Sequence, residues 1–184
     1  MDRLPPGQRW VQRLQVLHHG EVPPVDLREW SFFTKGLVRN PLVFRWEEFL
    51  RLPKTRVTAD FHCVTGWSVM DVEWEGVLFK DIAALTVPER EARFVMVHSY
   101  GGFTANLPLE VAMRDDAVFA TKMYGEPLAS AHGWPLRLVV PARYAWKSAK
   151  WVTGVEFMAS DRPGFWETHG YHNDGDPWEE QRYS

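Results

Sequence analysis

"DFHCVTGWS", residues 60–68, holds the one cysteine of the chain. The stretch leading into it, "RVTADF" (56–61), puts Val57, Ala59 and Phe61 on one side, the period of a half-buried β-strand. Cys63 therefore comes at the end of a strand and just before a Gly-containing turn, a place where functional groups are commonly mounted. Residue type alone leaves three readings open. A lone cysteine is most often a small buried hydrophobe. It can also be a nucleophile, which needs a base nearby, or a metal ligand. His62 adjoins it, but an extended chain sends consecutive side chains to opposite faces, so His62 is not that base.

The rest of the chain reads as short alternating elements. "EWSFFTKGLV" (29–38) predicts a strand, a turn at Gly36 and a second short strand. "FRWEEFLRLP" (44–53) places Trp46, Phe49 and Leu50 on one helical face, and Pro53 stops it. "LFKDIAAL" (78–85) does the same with Leu78, Ile82 and Leu85. "RFVMVHS" (93–99) is a continuous apolar run and predicts a buried strand. "LPLEVAM" (107–113) predicts a short helix with Pro108 in its first turn. "AVFATKMYG" (117–125), "PLRLVVP" (135–141) and "KWVTGVEFM" (150–158) are strand candidates. Short helices and two late strands in succession predict an α+β fold with mixed sheets, not a regular doubly wound one. One domain over 1–184 is expected, since 184 residues suffice for one good core. Its ends, 1–14 and 163–184, are expected to be irregular and packed on the body. The second end is too aromatic for a solvated tail.

Composition excludes several classes. A net charge of −3 argues against a nucleic-acid binder. No apolar stretch approaches the roughly 20 residues of a membrane span. One cysteine rules out a disulfide scaffold and fits a reducing compartment. "MDRLPPGQRWVQRL" lacks the apolar run of a signal peptide, so a cytoplasmic protein, or a mature form whose leader was removed, is expected, the starting Met1 favouring the first. Ten tryptophans imply a heavy aromatic core, with some rings available to wall a pocket for a flat ligand.

A second dense stretch is "HGWPLRLVVPARYAWKSAKWVTGVEF" (132–157). Arg143, Lys147 and Lys150 cluster there around Ser148, a set that suits a phosphate or another anion. The competing reading is a solvated basic loop, against which Tyr144, Trp146 and Trp151 speak. The seven histidines do not pair with Cys63 in a zinc spacing. His169 and His172 stand three apart, but in a Gly-rich loop.

These blocks together carry a resemblance. "DFHCVTGWS", "WEGV" (74–77), "YGEPL" (124–128), "HGWPLRLVVP" (132–141) and "KSAKW" (147–151) resemble, in order and spacing, the molybdopterin-binding domain of the sulfite oxidase family over roughly residues 15–158. The chain is most similar to its short bacterial branch, to which the tail "GFWETHGYHNDGDPW" also belongs by appearance. The catalytic subunit of protein-methionine-sulfoxide reductase is a relative.

The resemblance implies a sulfite oxidase-type fold and a molybdenum–molybdopterin cofactor. It implies that Cys63 is the protein thiolate on molybdenum, a soft ligand suited to a soft site. It places His132 and Arg137 on the pterin and its phosphate, Ser148, Ala149 and Lys150 around the cofactor through backbone N–H groups and the lysine, and His18 and His19 of "LHHGEVP" (17–23) over the pterin. Ser99 is the expected contact after a long strand, chosen over His98. The implied function is oxygen-atom transfer on a small sulfur or nitrogen oxo-compound, with electrons exchanged with a separate partner. A cofactor-binding protein without turnover and a metal-free thiol enzyme using Cys63 are the alternatives. Two departures stand out: the family often has an arginine three residues after the metal cysteine, where this chain has Gly66, and Leu17 replaces a loop arginine. Both weaken the case for a dianion such as sulfite, although Arg143 could compensate. No haem domain, export signal or C-terminal dimerisation domain is expected.

Overall fold

The computed structural model describes residues 3–184; Met1 and Asp2, and with them the argument from the starting methionine, lie outside the described residues. Two sheets form the body. The first contains β1 (Arg9–Trp10), β4 (Thr55–His62), β5 (Trp67–Leu78), β8 (Val118–Met123), β9 (Glu126–Pro127) and β10 (Arg137–Val139). The second runs in the order β3 (Val43–Arg45), β2 (Ser31–Gly36), β11 (Val152–Met158), β6 (Phe94–Ser99), β7 (Thr104–Pro108). β11 pairs parallel with β2 and antiparallel with β6, so this sheet is mixed. The helices are short: α1 (Trp46–Leu50), α2 (Phe79–Thr86) and α3 (Leu109–Ala112). The α+β expectation with mixed sheets holds.

Apolar alternation explains where the sheets meet. In β8, Phe119 joins the large cluster that also takes Phe32, Val95, Val97 and Phe157 from the second sheet, while Val118 and Ala120 face the opposite way into a second cluster with Trp67, Trp74 and Tyr144. Leu138 and Val139 of β10 divide in the same manner. Strands buried on both faces need not alternate, which is why "PLRLVVP" reads as apolar on both sides of Arg137.

Several elements differ from expectation. β5, the longest strand at 12 residues, had no predicted counterpart. Its sequence "WSVMDVEWEGVL" mixes acids with large rings, because it is an inner strand paired with both β4 and β8 yet solvated at Met70, Asp71 and Glu73. β7 was likewise unforeseen; the extended segment runs through Pro108, which stands just before α3 and not within it. The strand expected after Gly36 shrinks to a single bridge, Val38 to Pro88. Leu50 and Leu85 are 43% and 45% exposed, so the two amphipathic helices bury narrower stripes than their spacing implied.

Candidate active site

Cys63 sits at the tip of the β4–β5 hairpin. The pairing ends at His62–Ser68, and the connection closes through Cys63 N–H to Trp67 O (2.9 Å) and Gly66 N–H to Cys63 O (3.0 Å). Gly66 adopts φ +92°, a left-handed conformation that costs any residue with a Cβ. The turn aims the thiol into a cavity of about 280 Å³. Thr65 Oγ1 lies 3.2 Å from the sulfur. His62 points the other way, as alternation requires; its Nδ1 bonds Ser68 Oγ at 2.8 Å.

The opposite wall comes from the 132–151 segment. Arg137 leaves β10 and enters the cavity, wholly buried, with Nη1 donating to His132 O (3.0 Å) and Nη2 to Ser148 O (3.1 Å). Its guanidinium stacks on Phe61 and Trp74, 5.2 and 5.3 Å from the ring centres. Nε has no partner, and Arg137 is in no ion pair among the described residues. Burial pushes this cation down to about 10. Lys150 reaches the same space and donates to Leu17 O (2.8 Å) and Ala131 O (2.9 Å). Burial first, then Arg137, push Lys150 down to about 8, while Cys63 acts in the other direction. His132 is lowered by burial, by Arg137 and by Lys150, in that order. Gly133 allows the two cations to converge, because a Cβ there would meet Arg137 Cβ at 3.0 Å and Lys150 Cβ at 3.1 Å.

The third wall is aromatic. His18 meets the edge of Trp151 (6.0 Å), and His19 sits among Phe103, Phe165 and Trp166. Trp146 and Tyr171 close the cavity beside Cys63, their rings 5.1 Å apart. Trp146 Nε1 donates to Glu167 Oε1 at 2.8 Å. Burial, then Tyr183 and Cys63, raise the Tyr171 hydroxyl above its ordinary value.

Of the residues expected from the sequence, His18, His19, Cys63, His132, Arg137, Ser148, Ala149 and Lys150 all line this cavity. Ser99 does not. It ends β6 with its N–H bonded to Phe103 O, and its buried Oγ has no partner, so the turn brings Phe103 and Thr104 to the cavity instead. His98 is also elsewhere, 3.0 Å from Glu156. The N–H of Ser148 is committed to Ala145 O, while its hydroxyl oxygen accepts from Val140 N–H and so retains its own O–H as a donor.

The expected anion cluster splits apart. Arg143 pairs with Asp174 (2.9 Å) and Asp176 (3.8 Å), away from the cavity, and cannot replace the missing arginines. Lys147 is fully buried but turns to Glu167 (2.6 Å), Asn106 and Asn173. His169 and His172 are spent on local backbone contacts. Tyr171, Trp146 and Trp166 were not anticipated as site residues, because only the fold-back of the tail brings the first and last of them here.

The whole arrangement is a cavity with a thiol on one side, cations on the other and no carboxylate among the residues lining it. Comparison with known proteins is consistent with that. The model for the oxidoreductase molybdopterin binding domain matches residues 19–166. The chain belongs to that family. It is 43% identical over 183 residues to the uncharacterized oxidoreductase YuiH of Bacillus subtilis (strain 168), across 99% of this chain and 92% of that protein. It is 29% identical to the sulfite oxidase of Arabidopsis thaliana, across 84% of this chain and 48% of that protein. It is 26% identical to the protein-methionine-sulfoxide reductase catalytic subunit MsrP of Campylobacter jejuni, across 78% and 54%. The chain thus spans about half the length of these last two relatives. Among solved structures, the sulfane dehydrogenase SoxCD of Paracoccus pantotrophus superposes with a TM-score of 0.71 at 26% identity, over 78% of this chain and 41% of that one.

This oxidoreductase domain uses molybdenum–molybdopterin. The residues present fit the group. An anionic cofactor supplies the counter-charge that buried Arg137 and its unpartnered Nε lack. The flat aromatic wall suits a pterin ring, and a thiol facing the same space suits a soft metal. No helix in the described residues is long and apolar enough to cross a membrane.

Proposed function

We propose that Cys63 is the thiolate ligand to molybdenum and that the domain catalyses oxygen-atom transfer on a small sulfur or nitrogen oxo-compound, exchanging electrons with a separate partner. The observation that supports this best is the pairing in one cavity of the single thiol with Arg137, a buried cation without a counter-ion. When bound, the cofactor supplies a two-electron redox change and accepts or gives the oxygen atom. The protein does the rest. Arg137 and Lys150 hold the anionic part of the pterin, and His132 adds a donor or acceptor between them. His18 and His19 cover it, packed on Trp151, Phe103 and Trp166. Trp146 and Tyr171 narrow the space beside the sulfur, exclude bulk water and leave a phenol O–H to orient a substrate oxygen.

The substrate side carries little positive charge. The turn that would hold an arginine holds Gly66 at φ +92°, and Arg143 is consumed by two aspartates. This favours an uncharged or singly charged oxo-compound over a dianion. A reducing, cytoplasmic setting is consistent with the unpaired thiol.

The test is molybdenum analysis by mass spectrometry on protein from a cofactor-producing host, for wild type and Cys63→Ser. The wild type carries about one metal per chain. The variant keeps its fold and most of its pterin, and loses activity toward a panel of sulfoxides, N-oxides and sulfite with artificial electron carriers. Wild-type turnover in Cys63→Ser, or a metal content near zero with no pterin fluorescence in the wild type, refutes the proposal.

A further inference from the structure

The turn that carries Cys63 is held from two directions by segments distant in sequence. From the N-terminal side, Gln8 Nε2 donates to Cys63 O (3.1 Å), and Arg9 N–H donates to Gly66 O (3.0 Å). From the C-terminal side, Arg182 Nη1 donates to Val64 O, and Nη2 donates to Pro6 O (3.3 Å). The Arg182 guanidinium lies 5.2 Å from the centre of the Tyr144 ring. Its nearest carboxylate, Glu180, stands at 3.7 Å and is half exposed, so the charge is directed mainly at carbonyl oxygens. The backbone of Arg182 also accepts from His172 N–H at 3.1 Å, and the next residue, Tyr183, bridges to Tyr171. One residue therefore ties the turn bearing the thiol, through its side chain, to the tail segment bearing Tyr171, through its backbone, and both segments line the cavity.

We infer that Arg182 is a positioning residue that sets how the Cys63 sulfur enters the cavity and how far Tyr171 stands from it. The inference rests on the proposed role of Cys63 for its catalytic meaning, but its geometric content does not need the cofactor. A turn whose Val64 carbonyl loses this donor must expose that oxygen to water, and it does so by swinging the hairpin tip outward. A charge-assisted bond to a part-buried carbonyl is the strong kind, so its loss shifts the opening equilibrium by at least about tenfold.

Because the chain has one cysteine, alkylation reports on this turn alone. The experiment compares iodoacetamide labelling of full-length, cofactor-free wild type, Arg182→Gln, Arg182→Lys and Phe49→Leu, the last a core substitution remote from the turn. The expected result is labelling at least about tenfold faster in Arg182→Gln. Arg182→Lys, which can still reach one carbonyl, stays near the wild-type rate, and so does Phe49→Leu despite a lower Tm. In the cofactor-loaded protein, the sulfur-to-metal charge-transfer band, normalised to bound metal, moves in Arg182→Gln and is restored in Arg182→Lys. An unchanged labelling rate in Arg182→Gln overturns the inference. So does an equal acceleration in Phe49→Leu, since that would make the effect one of general stability. If the wild type holds no metal, the proposed function fails while the labelling comparison still decides the role of Arg182.

Discussion

Replacing Arg137 by methionine should barely change the stability of the cofactor-free protein while greatly weakening its hold on the cofactor. Burial lowers this guanidinium from its ordinary value to about 10. At roughly 1.4 kcal/mol per tenfold change in proton affinity, holding the cation there costs the fold about 3 kcal/mol. Against that stand two hydrogen bonds to carbonyls, at 3.0 and 3.1 Å, worth roughly 1 kcal/mol each. Stacking on Phe61 and Trp74 adds about 1 kcal/mol. The terms nearly cancel, so removing all of them leaves Tm within about 4 °C for a chain of this size. Lys147 is the internal control. Its Nζ is 2.6 Å from Glu167, and both side chains are almost fully buried. Lys147→Met strands a buried carboxylate and should cost about 3–5 kcal/mol, roughly a 10 °C fall in Tm. Calorimetry on both cofactor-free variants measures this contrast. In a cofactor-producing host, loss of a charge-assisted bond of about 2 kcal/mol lowers pterin affinity roughly thirtyfold for Arg137→Met. Pterin fluorescence after oxidative release reads the occupancy. An Arg137→Met protein that melts 10 °C lower and retains full cofactor would refute the reasoning, because the arginine would then serve the fold and not an anion.

Lys150 makes the cofactor-free protein more stable as pH rises. Its pKa is about 8 in the fold against 10.5 unfolded, so between these values the unfolded chain carries a proton that the folded one has shed, and stability increases with pH through that window. With partial solvation discounted, the gain is about 2 kcal/mol. Denaturant titrations at both ends of the window should show it in wild type and not in Lys150→Met; equal slopes in the two proteins would sink the assignment. Gly66→Arg restores the charge common at this place in the family but forces a side chain onto φ +92° beside Gly7 O, 3.4 Å from the added Cβ. It should cost about 1–2 kcal/mol, with no gain in sulfite oxidation. A stable variant with enhanced sulfite turnover would show that charge alone, and not the turn, limits the substrate range.

What the chain dictates by itself is what short-range chemistry dictates. The alternation of Val57, Ala59 and Phe61 marks β4 and puts Cys63 at its end. The continuous apolar run of "RFVMVHS" marks β6, and apolar-rich segments mark β8 and β10 as strand candidates. The blocks around Cys63, His132, Arg137 and Lys150 are local enough for their family resemblance to be read directly. β5 escapes because its acids and rings look incompatible until β4 and β8 are seen to flank it. Arg143, Lys147 and Lys150 look like one basic cluster in sequence, yet Asp174, Glu167 and the Leu17 carbonyl claim them one by one. Charge in a folded protein is settled by which partner arrives, and those partners come from segments that are adjacent only after the chain closes. Tyr171, Trp166 and Arg182 show the same limit. The tail is rich in rings and turn residues, so its composition implies packing, but the surface it packs on is fixed by long-range burial of aromatic area that no local pattern encodes.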